Sequence, residues 1–118
     1  MRARALASAA ALVLVVAGGC TGSHPSAARR LAEQHYLDRV HLSAPDVGTY
    51  QDDAHLVKLA NAVCDGFHAS ASTAQVADLL ERLGGRNLPP ADIGAVISGA
   101  VTDLCPLYRG RLSPVSQP

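Results

Sequence analysis

Two cysteines, Cys64 and Cys105, each close a segment whose apolar residues recur every three or four positions, and few folds satisfy both features in a chain of 118 residues. A third, Cys20, stands apart from them, behind the most apolar run of the sequence, "VLVVAGGCTG" at residues 13–22. An odd count in an exported protein leaves one thiol over. The position of Cys20 suggests which one, and so leaves Cys64 and Cys105 to bond to each other.

The N-terminal stretch has the three parts of a secretory signal: Arg2 and Arg4, an apolar block from Ala5 to Val16, then the small residues Ala17, Gly18 and Gly19. Twelve apolar residues make about 18 Å of helix against a hydrocarbon core of about 30 Å, too short for a permanent span. Cleavage before Cys20 is expected. The stretch resembles a bacterial lipobox, Leu-small-small-Cys, with Ala17 where leucine is usual. That resemblance implies a diacylglyceryl thioether on Cys20 and a membrane anchor on the cell's outer face. The other reading is a soluble secreted protein with a leftover thiol, because Ala17 and Gly19 also suit an ordinary signal peptidase.

Removal of residues 1–19 leaves 99 residues, enough for one domain, and eight basic against ten acidic side chains, a net charge of −2. Arg29, Arg30, Arg109 and Arg111 are too sparse for a nucleic-acid surface, so no nucleic-acid partner is expected. Aromatic residues are limited to Tyr36, Tyr50, Phe67 and Tyr108, which leaves a core of Leu, Val, Ile and Ala. Such a small core seldom contributes more than about 3–5 kcal/mol, and a disulfide is the usual supplement in an oxidising compartment.

Four helical patterns follow a small, polar tether. The first spans about residues 28–42, with Leu31, Tyr36, Leu37 and Val40 as an imperfect stripe and Pro45 beyond its end. The second starts at Asp52 and Asp53, whose carboxylates suit a helix N-terminus, and carries Leu56, Leu59, Ala60, Val63 and Phe67 on one face to residue 67. Ser72 and Gln75 form a capping box for the third, striped by Val76, Leu79, Leu80 and Leu83 and ended by Gly84 and Gly85 through the left-handed glycine cap. Pro90 and Asp92 open the fourth, whose face is Ile93, Val96, Ile97, Ala100, Val101 and Leu104, with Pro106 as its limit. No segment alternates with period two.

The expected fold is therefore all-α: a small four-helix, bundle-like domain stapled by one disulfide and preceded by a cleaved signal peptide. Its parts are the signal at 1–19, lipidated Cys20 and tether at 20–30, the helical domain at 31–108 and a disordered tail at 109–118. A Cys64–Cys105 bond closes a loop long enough to remove about 4 kcal/mol of unfolded-chain entropy. The spacing is far from the Cys-x-x-Cys of a redox enzyme, so the bond reads as structural.

Three stretches, "HLVKLANAVCDGF", "STAQVADLLERL" and "PPADIGAVISGAVTDLCP", in that order, resemble the actinobacterial, chiefly mycobacterial, family called domain of unknown function 732. The resemblance covers about residues 36–108, from "YLDRV" in the first helix, with Val63-Cys64 and Cys105-Pro106 as its anchors. It implies a small exported helical lipoprotein and no defined chemistry. Ala60 and Ser70 stand where many members have glycine, and Leu104 where tyrosine is usual.

The five histidines, His24, His35, His41, His55 and His68, form no i, i+4 pair, so no metal or cofactor is expected. Asp52, Asp53 and His55 could be drawn as an acid–base cluster, but capping explains the carboxylates, and the serines of "HASASTAQ" read as loop and cap. No catalytic residue is assigned and no enzyme is expected. Gly94 and Gly99, inside the fourth helix, imply a close neighbour, either another helix of the same domain or a partner. The functional expectation is a lipid-anchored, non-catalytic envelope module that binds another envelope protein or an apolar envelope molecule between its helices. The alternative is a soluble secreted structural or interaction protein with no ligand pocket.

Overall fold

A computed structural model describes residues 26–84 and 88–112. Four α-helices run in chain order: α1 (Ala27–Ser43), α2 (Asp53–His68), α3 (Thr73–Gly84) and α4 (Pro90–Asp103). A 3-10 turn, Val47–Thr49, links α1 to α2, and a second 3-10 segment, Pro106–Leu112, follows α4. The described residues contain no strand. The expected signal peptide at 1–19 and Cys20 lie outside them.

Each helix starts where local chemistry satisfies its first N–H groups. The Ser26 hydroxyl accepts from the Arg29 N–H at 3.1 Å and the Asp52 carboxylate from the His55 N–H at 2.7 Å. At α3 the expected capping box is complete: the Ser72 N–H donates to Gln75 Oε1 at 2.8 Å and the Gln75 N–H to Ser72 Oγ at 3.1 Å. Pro90 occupies the first turn of α4, where its missing N–H removes no helical bond. Because Ser26 caps α1, residues expected in the tether up to residue 30 are helical from Ala27 onward.

Helix α2 ends on a left-handed residue. Ser70 has φ of 67°, in the left-handed region, and beside it the Ser70 N–H donates to the Phe67 carbonyl and the Ala71 N–H to the Gly66 carbonyl. These two bonds are the Schellman arrangement, which favours glycine at the left-handed position because glycine has no Cβ to collide with the backbone.

Helix α4 is the hub. It packs against α1, α2, α3 and the C-terminal 3-10 segment, and its buried residues Ile93, Val96, Ile97, Gly99, Ala100 and Val101 span more than one face because neighbours surround it. Leu56, Leu59, Ala60, Val63 and Phe67 of α2 are all buried, as their spacing predicts. Helix α1 contributes Tyr36 and Val40, which approach α4 closely at Gly99: a Cβ there would stand 3.1 Å from the Tyr36 ring and 3.2 Å from Val40. Gly99 thus answers to a helix of the same domain. Gly94 is exposed, with nothing within 4 Å of a Cβ built on it, so no neighbour requires it. A close approach that the sequence reading did not anticipate occurs at Gly66, whose Cβ would lie 3.1 Å from Val76 of α3.

Four expectations need correction. Leu31 was placed in the core stripe of α1 but is 57% exposed, because it lies across the helix from Tyr36 and Val40. Leu83 is 49% exposed, and the core near it is completed by Leu88, which is buried. Gly84 is not a left-handed cap; it is the last helical residue, and a Cβ on it would meet Leu88 at 2.7 Å. Gly85 lies outside the described residues. Finally, residues 109–112, expected in a disordered tail, continue the 3-10 segment, with the Thr73 hydroxyl donating to the Arg111 carbonyl at 2.9 Å.

Three measurements follow from this backbone geometry. Ser70→Gly should raise the unfolding free energy by about 1 kcal/mol, read by urea denaturation, because it relieves a left-handed non-glycine residue. Gly99→Leu should lower it by about 1–3 kcal/mol through overpacking against Tyr36. Gly94→Ala should instead raise it by about 0.5–1 kcal/mol, since only helix propensity changes there.

Candidate functional site

The bond between Cys64 in α2 and Cys105 just past α4 is present, with Cα atoms 5.9 Å apart. Helical periodicity puts Cys64 beside the buried Val63 and Phe67, and the end of α4 brings Cys105 to it. Cys105 is held by its own N–H, which donates to the Ala100 carbonyl at 2.9 Å as the helix unwinds. The staple thus joins the two elements that bury most of the core.

Around the staple the C-terminal segment is tied down by contacts that no sequence spacing announces. The Tyr108 and Phe67 rings lie 5.9 Å apart in a tilted arrangement, within the range of favourable aromatic pairs. The Tyr108 hydroxyl and His68 Nδ1 are 3.0 Å apart, and the Arg109 guanidinium donates to the Thr102 carbonyl at 3.0 Å. An aromatic residue three positions past a cysteine that must be near α2 was the one available hint.

The candidate acid–base residues do not converge. Asp52 caps α2, Asp53 faces His41 of α1 at 2.9 Å, and His55 takes part through its backbone N–H. His35 is exposed on α1 and His68 lies at the staple end. Among the described residues no three His, Cys, Asp or Glu side chains gather as metal ligands, and His24 lies outside them. Each of the histidine contacts ties one segment to another.

Helix α1 is attached to the rest of the domain by polar contacts as well as by packing. Arg39 Nε donates to Asp103 Oδ2 at 2.8 Å and Nη2 to Oδ1 at 3.3 Å, a two-pronged pair between α1 and the end of α4. Arg29 bonds both Glu33 and Asn61 of α2. The Tyr36 hydroxyl, fully buried, donates to the Leu56 carbonyl at 2.7 Å. Burial pushes its ionisation well above the ordinary tyrosine range, because a phenolate there would lose its water. The Tyr50 hydroxyl is also buried and has no hydrogen-bond partner among the described residues.

The outer face of α1 carries an open depression of about 240 Å³ bounded by His35, Asp38, Arg39 and Leu42. It lies on the solvent side of one helix. The interhelical space is filled by the core side chains.

A family described as "Protein of unknown function (DUF732)" has a model that matches residues 32–107. That span begins in α1, ends in the C-terminal 3-10 segment and contains both bonded cysteines. No curated protein and no solved structure matches the chain.

Tyr36 supplies a pH test. Its folded-state pKa is raised, so the unfolded chain releases the proton first, and stability present below about pH 10 is lost as pH rises beyond it. Tyr36→Phe should be about 1 kcal/mol less stable at neutral pH. The difference between the two proteins should shrink above about pH 10 in denaturant titrations, and parallel curves would contradict the assignment.

Proposed function

This chain belongs to the DUF732 family over its helical domain, and on that premise we propose that it is an exported, non-catalytic binding module held on the outer face of the cell membrane through a lipid on Cys20. The observation that carries this reading is the Cys64–Cys105 bond. Disulfides persist in oxidising compartments, which agrees with the secretory layout of residues 1–19. With those two cysteines bonded to each other, the third of the chain's three follows the apolar run, in the place where a lipobox cysteine is acylated. No helix among the described residues is long and apolar enough to cross a membrane. A diacylglyceryl group provides two chains, and each buried methylene contributes about 0.8 kcal/mol.

The module acts by contact. His41 and Asp53 join α1 to α2, His68 meets Tyr108 of the C-terminal segment, and the buried side chains of the helices form one core cluster. This favours a protein partner at the surface over an apolar molecule between the helices. Export without lipid, as a soluble secreted protein, is the competing reading and shares the disulfide.

Intact mass spectrometry of the protein from membranes of an actinobacterial host separates the two. Anchoring predicts a diacylglyceryl mass increment on Cys20, two cysteines that resist alkylation until reduced, and release of Cys20→Ser into the medium. An unmodified Cys20 thiol on protein in the medium would reject the anchor.

A further inference from the structure

Helix α1 presents a second stripe, opposite the one it buries. Leu31, His35, Asp38 and Leu42 are spaced four, three and four apart, which at 3.6 residues per turn places them within an arc of about 60°. All four are exposed, Leu31 by 57% and Leu42 by 83%; of the large apolar side chains described, Leu83 and Leu107 are exposed as well, but those two stand on separate elements. The spacing is that of a helix–helix seam. The depression between His35, Asp38, Arg39 and Leu42 has the i, i+3, i+4, i+7 outline of the hole that receives one side chain of a facing helix.

The spacing of the stripe reads the same from either end. Turned about a twofold axis through its midpoint, between Tyr36 and Leu37, it sets Leu31 against Leu42 of a second copy and His35 against Asp38, twice each. The flanks agree: Arg39 falls opposite Gln34 and Arg30 opposite Ser43, so no like charges meet. An isologous contact needs this self-complementarity. We propose that the outer face of α1 is a homodimer interface, formed by antiparallel pairing of α1 with the same helix of a second copy, with the second copy's His35 seated in the hole beside Asp38. One helix against one helix buries a small area, so the association is weak in solution. It does not depend on how Cys20 is modified.

The test exchanges charge across the twofold. The full mature chain, carrying whatever modification Cys20 bears, is followed by sedimentation velocity from about 10 μM to about 1 mM, the range of weak association. The parent chain should pass reversibly from monomer to dimer. His35→Asp sets carboxylate against carboxylate and Asp38→Lys sets cation against imidazole, so each alone should weaken dimerisation at least about 10-fold, whereas an equimolar mixture, in which the new aspartate faces the new lysine, should restore it. Both positions are exposed, and unchanged far-UV circular dichroism would verify the fold of each variant. A parent that stays monomeric to about 1 mM overturns the proposal and leaves the stripe to a different partner. So do single variants that dimerise like the parent, or a mixture that stays monomeric.

Discussion

The covalent link between Cys64 and Cys105 is the constraint on which the rest of the domain depends. It fixes α2 against the end of α4, the helix that touches every other described helix. A core of aliphatic side chains with one phenylalanine, and one tyrosine fully buried, is small for four helices. Removing conformational freedom from the unfolded chain is worth about as much as such a core contributes on its own. The bond also decides where the C-terminal segment lies, because Tyr108 can reach Phe67 and His68 only once Cys105 is held beside α2.

Helix α1 lies at the other extreme. Only Tyr36 and Val40 along its length are buried, so apolar burial alone attaches it weakly. Close approach at Gly99, the Tyr36 hydroxyl on the Leu56 carbonyl and the Arg39–Asp103 pair supply what the narrow stripe lacks. The other side of the helix is left to solvent, and there Leu31 and Leu42 flank His35 and Asp38. Weak amphipathicity and an exposed second stripe are two descriptions of one division of the helix surface. They suit the proposed binding role.

How far the sequence was legible varied with the range of the interaction. The stripe of α2, the capping box of Ser72 and Gln75 and the Asp52 cap all follow from residues within a turn or two of one another, and each stands where the spacing puts it. Leu31 and Leu83 were misplaced because period alone does not say which of two apolar arcs faces inward, nor how far a neighbour covers a last turn. Gly84 looked like a cap, but its smallness answers to Leu88, and that contact depends on how the chain returns after α3.

Residue order by itself determined the four helices, the starts of the last three and, with Cys20 set aside by its place behind the apolar run, the covalent partner of Cys64, since helical hydrogen bonds, caps and cysteine count are local or arithmetical properties of the chain. Only the tertiary structure decided which face of α1 meets Gly99, that residues 109–112 meet Thr73 at the start of α3, and that Asp103 holds Arg39. Those outcomes depend on the relative placement of whole helices. Such placement follows from the summed packing of many side chains distant in sequence, and no spacing along the chain encodes it.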